Sequence, residues 1–395
     1  ASNSGAAYVI FGRPTFFSTT IQMNGVGGDV TLLGKALDDA FGQIVGGAGD
    51  LNGDGFDDLV VGTPQNDDGA SQNAGAAYLL YGAASLSATY QMNGAGVNVT
   101  IIGKGANDYL GLNVIGTGDV NEDGIDDLLI GADQNDDGAA NGGAAYILLG
   151  GSSLAADFDI AGTGVNISII AKGADRLGRG SWGGGDINGD GFDDAVIGAR
   201  FNDDSAVDAG AAYFIFGRFF PAAITLDLAN AEESVIVTGK GGSDQLGFFS
   251  GGAGDVNDDG FFDIIVAGRL NDDGPGGNND GAAYIIYGST SLASSIPAGN
   301  SDVTFFGKAA TDRLGSSVSG IGDVNYDEFP DLLIGAFGNA DISTLAGAAY
   351  ILFGSETISS EIRMDGSGAN ITVLGKTGYD YFGLVVSGGR GNPGP

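Results

Sequence analysis

The chain has 395 residues, with 50 Asp+Glu against 15 Lys+Arg, a formal net charge of −35, and neither Cys nor His. Those absences exclude disulfides, thiol nucleophiles, haem and iron–sulfur ligation, zinc fingers and Ser-His-Asp triads. The charge repels phosphate backbones and anionic lipid, so nucleic acid and membrane insertion are not expected.

Six Glu leave 44 Asp, a bias toward the shorter carboxylate that suits tight turns and hard-cation cages. The 43% apolar content is enough for a large core, and no apolar run approaches the roughly 18 residues of a membrane helix. The sequence opens on Ala1-Ser2-Asn3 without Met or an apolar leader, as expected of a mature secreted form or a fragment.

In chain order, the first predicted elements are two short strands, 6–11 and 30–35. A pattern then begins that repeats to the end. The segment 50–58, Asp-Leu-Asn-Gly-Asp-Gly-Phe-Asp-Asp, recurs at 119–127, 186–194, 255–263 and 323–331, at steps of 69, 67, 69 and 68 residues. Gly-Ala-Ala-Tyr, or a close variant, ends at Tyr8, Tyr78, Tyr146, Tyr213, Tyr284 and Tyr350. A Lys follows at 35, 104, 172, 240, 308 and 376, and a Phe-Gly or Leu-Gly pair at Phe41, Leu110, Leu177, Leu246, Leu314 and Phe382. Six copies of these marks accompany five acidic loops.

Within one period the apolar runs are short, β-branched or aromatic, and bounded by Gly, Asn and Asp, which predicts strands. In the second period they fall at 112–116, 127–131, 144–149 and 165–171. Four strands in under 70 residues, repeated, predict an all-β fold: a β-propeller of four-stranded antiparallel blades. The repeat count gives six blades, or seven if the natural chain continues. Residues 1–395 are expected to form a single propeller domain with blade repeats of about 68 residues. A first strand at 383–387 would share the closing blade with the strands at 6–11 and 30–35, removing exposed sheet edges.

Each acidic loop offers side-chain oxygens at positions 1, 3, 5 and 9, a Gly at position 6 in four of five copies, and a main-chain carbonyl at position 7. Calcium takes six to eight oxygens, and alternate residues of a tight loop can converge on it where a small residue permits the turn. The candidate ligands are Asp50, Asn52, Asp54, Phe56 and Asp58; Asp119, Asn121, Asp123, Ile125 and Asp127; Asp186, Asn188, Asp190, Phe192 and Asp194; Asp255, Asn257, Asp259, Phe261 and Asp263; and Asp323, Asn325, Asp327, Phe329 and Asp331. About five calcium ions are expected, as a staple in place of disulfides. The last loop departs most, with Glu328 at the Gly position and Pro330 beside it. An EF-hand is rejected, because its position 12 requires Glu and the first loop has Val61 there. The competing structural reading is that these Asp and Asn simply cap hairpin turns.

These residues resemble the FG-GAP repeats of integrin α-subunit N-terminal β-propellers and their microbial relatives. The resemblance rests on Phe41-Gly42, the loop 50–58, and the Gly-Ala or Gly-Thr-Pro element after the second strand, as in Gly62-Thr63-Pro64, Gly131-Ala132, Gly198-Ala199 and Gly335-Ala336. It implies calcium in the hairpin between strands 1 and 2, a usual count of seven blades, and adhesion or ligand binding at the cell surface or outside the cell. Expected partners are an extracellular protein or glycan, or copies of the chain itself. Departures are Leu for Phe in four of six pairs, and Ala267-Gly268-Arg269 in the fourth copy.

Other features have plainer readings. Asn-Asp-Asp at 66, 135, 202 and 271 is either an acidic ring on the face opposite the loops or a set of turn formers. The Asp two residues before each Phe-Gly or Leu-Gly pair (Asp39, Asp108, Asp175, Asp244, Asp312, Asp380) reads as a turn cap. The repeated Lys neutralises nearby acids. Asn98, Asn166 and Asn370 fit the N-glycosylation pattern, and Phe16-Phe17 and Phe219-Phe220 beside Arg13 and Arg218 form either a contact patch or loop packing. No enzyme activity is expected, since nearly every Asp has a counterpart in other blades and catalysis needs one asymmetric constellation. The alternatives are a polysaccharide lyase or glycosidase on a propeller scaffold, or a structural lattice or filament subunit.

Overall fold

A computed structural model of the chain describes residues 4–12, 28–35, 39–67, 71–92, 96–160, 166–220, 223–230, 234–366 and 368–388. Phe16, Phe17 and Arg13 lie outside them. Strands dominate, and two short 3-10 turns, Leu228–Asn230 and Ala298–Asn300, are the helical elements among the described residues.

The strands form six sheets. In the second full blade, Asn113–Gly118, Asp127–Ala132, Ala144–Leu148 and Ile167–Ile170 pair antiparallel in sequence order. The other full blades repeat this meander, and of its own repeat the opening sheet holds, among the described residues, the third and fourth strands, Ala6–Val9 and Val30–Leu33. First strands of successive blades contact one another, so they line the axis and the fourth strands lie outside. This is the β-propeller that the repeat predicted.

The structure adds a strand that the pattern does not announce. In each of the five full blades, the long connection between strands 3 and 4 sends a short segment back to pair, in parallel, with the outer strand of the preceding sheet. Thr89–Gln91 joins Val30–Leu33, Asp157–Asp159 joins Val99–Ile102, and Ile224–Asp227 joins Ile167–Ile170. Ser295–Pro297 and Glu361–Arg363 do the same for the next two blades. Four of these segments alternate exposed and half-buried residues, over only three positions, too short for a period to be legible. Each covers an otherwise bare sheet edge with the following repeat.

The core lies between blades. Val99, Ile101, Leu79 and Val60 of one blade pack against Leu128, Ile130, Tyr146 and Leu148 of the next, and the same layering recurs around the arc. This explains the Gly of the Gly-Ala element. A Cβ on Gly131 would stand 1.8 Å from the carbonyl oxygen of Gly178 in the next blade, and one on Gly198 would stand 1.9 Å from that of Gly247. Backbone meets backbone there, and only Gly fits.

Residues 383–387 form no strand. The Gly383 carbonyl accepts the Ser316 and Ser317 hydroxyls of the neighbouring first strand, at 3.0 and 3.1 Å, but among the described residues no second strand follows to complete a ladder. The last sheet's outer strand, Ile371–Leu374, is consequently exposed along its length, as are Phe382, Leu384 and Val385 beyond it.

Candidate metal centre

The five acidic loops connect first and second strands and share one hydrogen-bond plan. In the second, Asp119 Oδ1 and Asn121 Oδ1 both accept the Asp123 main-chain N–H, at 3.0 and 2.9 Å, while Asp119 Oδ2 accepts that of Gly124 at 2.6 Å. The Asn121 amide donates to Asp123 Oδ2 at 3.1 Å. Positions 1, 3 and 5 are thus gathered within hydrogen-bonding reach of one main-chain nitrogen. Asp186, Asn188 and Asp190; Asp255, Asn257 and Asp259; and Asp323, Asn325 and Asp327 repeat the arrangement. In the first loop Asp50 accepts from Asp54 and Gly55, at 3.0 and 2.7 Å.

Position 9 is placed differently. Asp127 is buried, with Oδ2 accepting Val120 N–H at 2.9 Å and Oδ1 accepting Gly150 N–H at 2.7 Å. Asp58, Asp194, Asp263 and Asp331 hold the corresponding pairs of donors. Burial pushes Asp58 up to about 6 and Asp127, Asp194 and Asp263 up to about 7, outweighing the donors, with repulsion from positions 5 and 1 adding to it. Positions 1, 5 and 9 therefore feel one another's charge.

Among the described residues no group of three or more acidic side chains is ready to hold a metal ion. The loops' own N–H groups engage the carboxylates, and position 9 faces the blade. The donor set nevertheless fits a hard cation: each loop brings three carboxylates and one amide oxygen to a single hairpin, which is the chemistry that oxygen-seeking divalent ions select. Position 6 carries positive φ in every copy: 90° at Gly55, 86° at Gly124, 96° at Gly191, 88° at Gly260 and 79° at Glu328. The fifth loop keeps the fold of the others while holding a non-glycine residue in the left-handed region, at a cost of roughly 1 kcal/mol.

A second network, on the other side of each blade, was only partly legible in the sequence. Asn135 is buried and donates to Asp108 Oδ2 at 2.9 Å, and Asp108 Oδ2 also accepts Gly105 N–H at 3.0 Å. Asn271 and Asp244 repeat this at 3.0 Å, and Asn66 and Asn202 donate to the Tyr78 and Tyr213 hydroxyls. The Asn of Asn-Asp-Asp is therefore an internal tie, and the Asp before Leu-Gly caps its turn. The last Asp pairs with the repeated Lys, as in Lys104–Asp137, Lys172–Asp204 and Lys240–Asp273. Asn98, Asn166 and Asn370 each accept a main-chain N–H, from Tyr81, Leu149 and Phe353, and Asp302 does so for Tyr287 at the same blade position. Of the aromatic pair, Phe219 is exposed while Phe220 packs into the core.

The FG-GAP repeat family model matches residues 41–80 and 113–148. Integrin alpha pat-2 of Caenorhabditis elegans is 26% identical over 274 residues, covering 66% of this chain and 21% of that protein. Integrin alpha-5 of Xenopus laevis is 29% identical over 243 residues, covering 59% and 20%. Phosphatidylinositol-glycan-specific phospholipase D of Dictyostelium discoideum is 28% identical over 222 residues, covering 51% and 22%. The chain spans about a fifth of the length of these relatives. The recurrent blade makes the chain a β-propeller, two stretches of it match the FG-GAP repeat, and over part of its length it is similar to integrin α-subunits.

Proposed function

We propose that this chain is a calcium-binding propeller that serves outside the cell, or on its surface, as an adhesion or ligand-binding module. The observation that carries the reading is the gathering of positions 1, 3 and 5 in successive loops, as in Asp119, Asn121 and Asp123. The side chains at 1, 3, 5 and 9 and the carbonyl at 7 would hold each ion, about five in all, with the fifth loop the weakest for its strained Glu328. A bound ion supplies positive charge that lets crowded carboxylates stay ionised. Likeness to integrin alpha chains supports the adhesive role and an extracellular protein, a glycan or a second copy of the chain as partner.

One propeller domain over residues 1–395, with a closing blade shared between the two ends of the chain around Ala6–Val9 and Val30–Leu33, belongs to the same proposal. Such closure would cover the exposed outer strand of the last sheet. A catalytic role draws on the phospholipase D relative, but the loops are repeated, and repetition suits binding better than chemistry.

The test is thermal melting with calcium and with chelator. At tenfold excess over Kd each ion contributes about 1.4 kcal/mol, so five contribute roughly 7 kcal/mol, comparable to a domain's whole stability. Chelation should lower the melting midpoint by more than about 10 °C, and native mass spectrometry should count the ions. An unchanged melt rejects the reading.

A further inference from the structure

The blades depart from their repetition at the end of the axis opposite the acidic loops. Leu177 pairs with Ala199 at the end of the hairpin far from Gly183 and Ala195, so Arg179 and Arg200 project from that end. Arg269 follows the second strand of the next blade, and Phe248 precedes its first strand. Arg176 and Arg313 occupy the turn before a first strand, at φ 58° and 57°. At the matching positions the other blades carry Ala40, Tyr109, Gln245 and Tyr381; Gln43, Leu112, Ser316 and Leu384; and Pro64, Asp133 and Phe337. Five of the chain's nine arginines thus meet in one cluster, in a protein of net charge −35.

The cluster is packed around one ring. The Arg269 guanidinium lies 3.5 Å from the Phe248 centroid, Arg179 5.1 Å and Arg200 5.4 Å, while Arg313 lies 5.0 Å from that of Phe337. One carboxylate offsets it: Asp133 Oδ2 is 3.0 Å from Arg200 and 3.6 Å from Arg179. Asp133 has 1% side-chain exposure and Arg200 11%. Asp133 Oδ1 and the Nε of Arg200, Arg269 and Arg313 are buried with no hydrogen-bond partner. Burial lowers Arg200 and Arg269 to about 10, and the neighbouring cations push the same way.

Like charges held this close, with donors left unmet, are costly unless something answers them. We propose that this arginine cluster is a binding site for an oxyanion group, a carboxylate or a sulfate, carried by the ligand of the propeller. Guanidinium forks match both groups bidentately, and Phe248 holds three of the forks around its ring. The inference names a ligand class for the ligand-binding reading above, but it uses none of the residues on which the calcium reading stands.

The experiment is calorimetric titration of the calcium-loaded chain at low ionic strength with sodium sulfate and, separately, with sodium succinate. Saturable binding of one ion per chain, weakened by salt, is expected, and the tighter of the two anions distinguishes sulfate-bearing from carboxylate-bearing ligands. Arg179→Ala and Arg269→Ala should each weaken it by about tenfold or more, with Arg269→Lys recovering part of the loss. Lys240→Ala, outside the cluster, should bind as the parent does. Calcium-dependent melting of each variant checks its fold. Absence of saturable binding in the parent chain, which needs no variant, overturns the proposal, as does undiminished binding by both alanine variants. Anion binding with a calcium-insensitive melt would sink the calcium reading alone, and the converse would sink the arginine site alone.

Discussion

Asp126 Oδ2 accepts the main-chain N–H of Asp50 at 2.8 Å, reaching from the acidic loop of one blade to the first residue of the loop before it. Asp193 does the same for Asp119 at 3.0 Å. Position 8 of the second and third loops thus braces position 1 of the loop before it, so the first three candidate metal centres are joined in series. In the later blades the brace changes character. Position 8 becomes Phe262, stacked on Trp182 at 5.0 Å, and then Pro330, which lies against Gly254.

Removing the brace should be felt in the preceding blade. Asp126→Ala leaves a partly buried N–H without its acceptor and should cost about 1–3 kcal/mol. It should also weaken calcium binding by the loop at Asp50. Asp57 holds the same position in the first loop and is exposed, so Asp57→Ala should stay within about 0.5 kcal/mol. Denaturant midpoints of the two variants, with and without calcium, check this; equal losses would show that the brace carries no stability.

The buried Asn ties give a second contrast. Asn135→Ala strips Asp108 of a donor while the carboxylate stays buried, at an expected cost of about 1–3 kcal/mol. Lys104→Met breaks only the partly exposed pair with Asp137 and should cost less than about 1 kcal/mol. Chemical denaturation orders the two, and a larger loss for Lys104→Met would make the ion pair, not the amide, the anchor of that loop.

Close backbone approach between blades sets a third expectation. Gly131→Ala places a methyl group against the Gly178 carbonyl, where neither backbone can retreat without opening the interface, and should cost about 2–4 kcal/mol. At Gly151 an added Cβ would meet nothing within 4 Å, so Gly151→Ala should be near neutral. A stable, well-folded Gly131→Ala chain would contradict the described contact.

The repeat was legible because each blade must present the same two apolar faces to its neighbours, and Gly-Ala-Ala-Tyr, the Phe-Gly or Leu-Gly pairs and the acidic loops recur in step with that demand. The parallel edge strands were not, since Thr89–Gln91 and Asp157–Asp159 have no period of their own and are strands only because an outer edge stands ready to receive them. Asn135 read as a turn former, because nothing local reveals that its amide meets a carboxylate 27 residues earlier. The arginine cluster escaped notice for the opposite reason: Arg176, Arg179, Arg200, Arg269 and Arg313 break the repeat, and only the propeller brings them to one end of the axis.

Asp280 gives a pH expectation independent of the acidic loops. It is fully buried, its Oδ2 accepts Gly276 N–H at 2.9 Å, and its Oδ1 has no partner. Burial, with repulsion from Asp272 and Asp312, raises it from 3.8 to about 6. A carboxyl raised on folding binds its proton more tightly in the native state. Its stabilising contribution is therefore complete below pH 3.8 and is lost as pH climbs through about 6. Asp280→Asn should remove that dependence and raise the melting midpoint at neutral pH by about 2–4 °C. Melts of parent and variant in chelator across this range check the sign: a gap that widens as pH falls, instead of closing, would mean that Asp280 is held ionised and that its unpaired oxygen has a partner in solution.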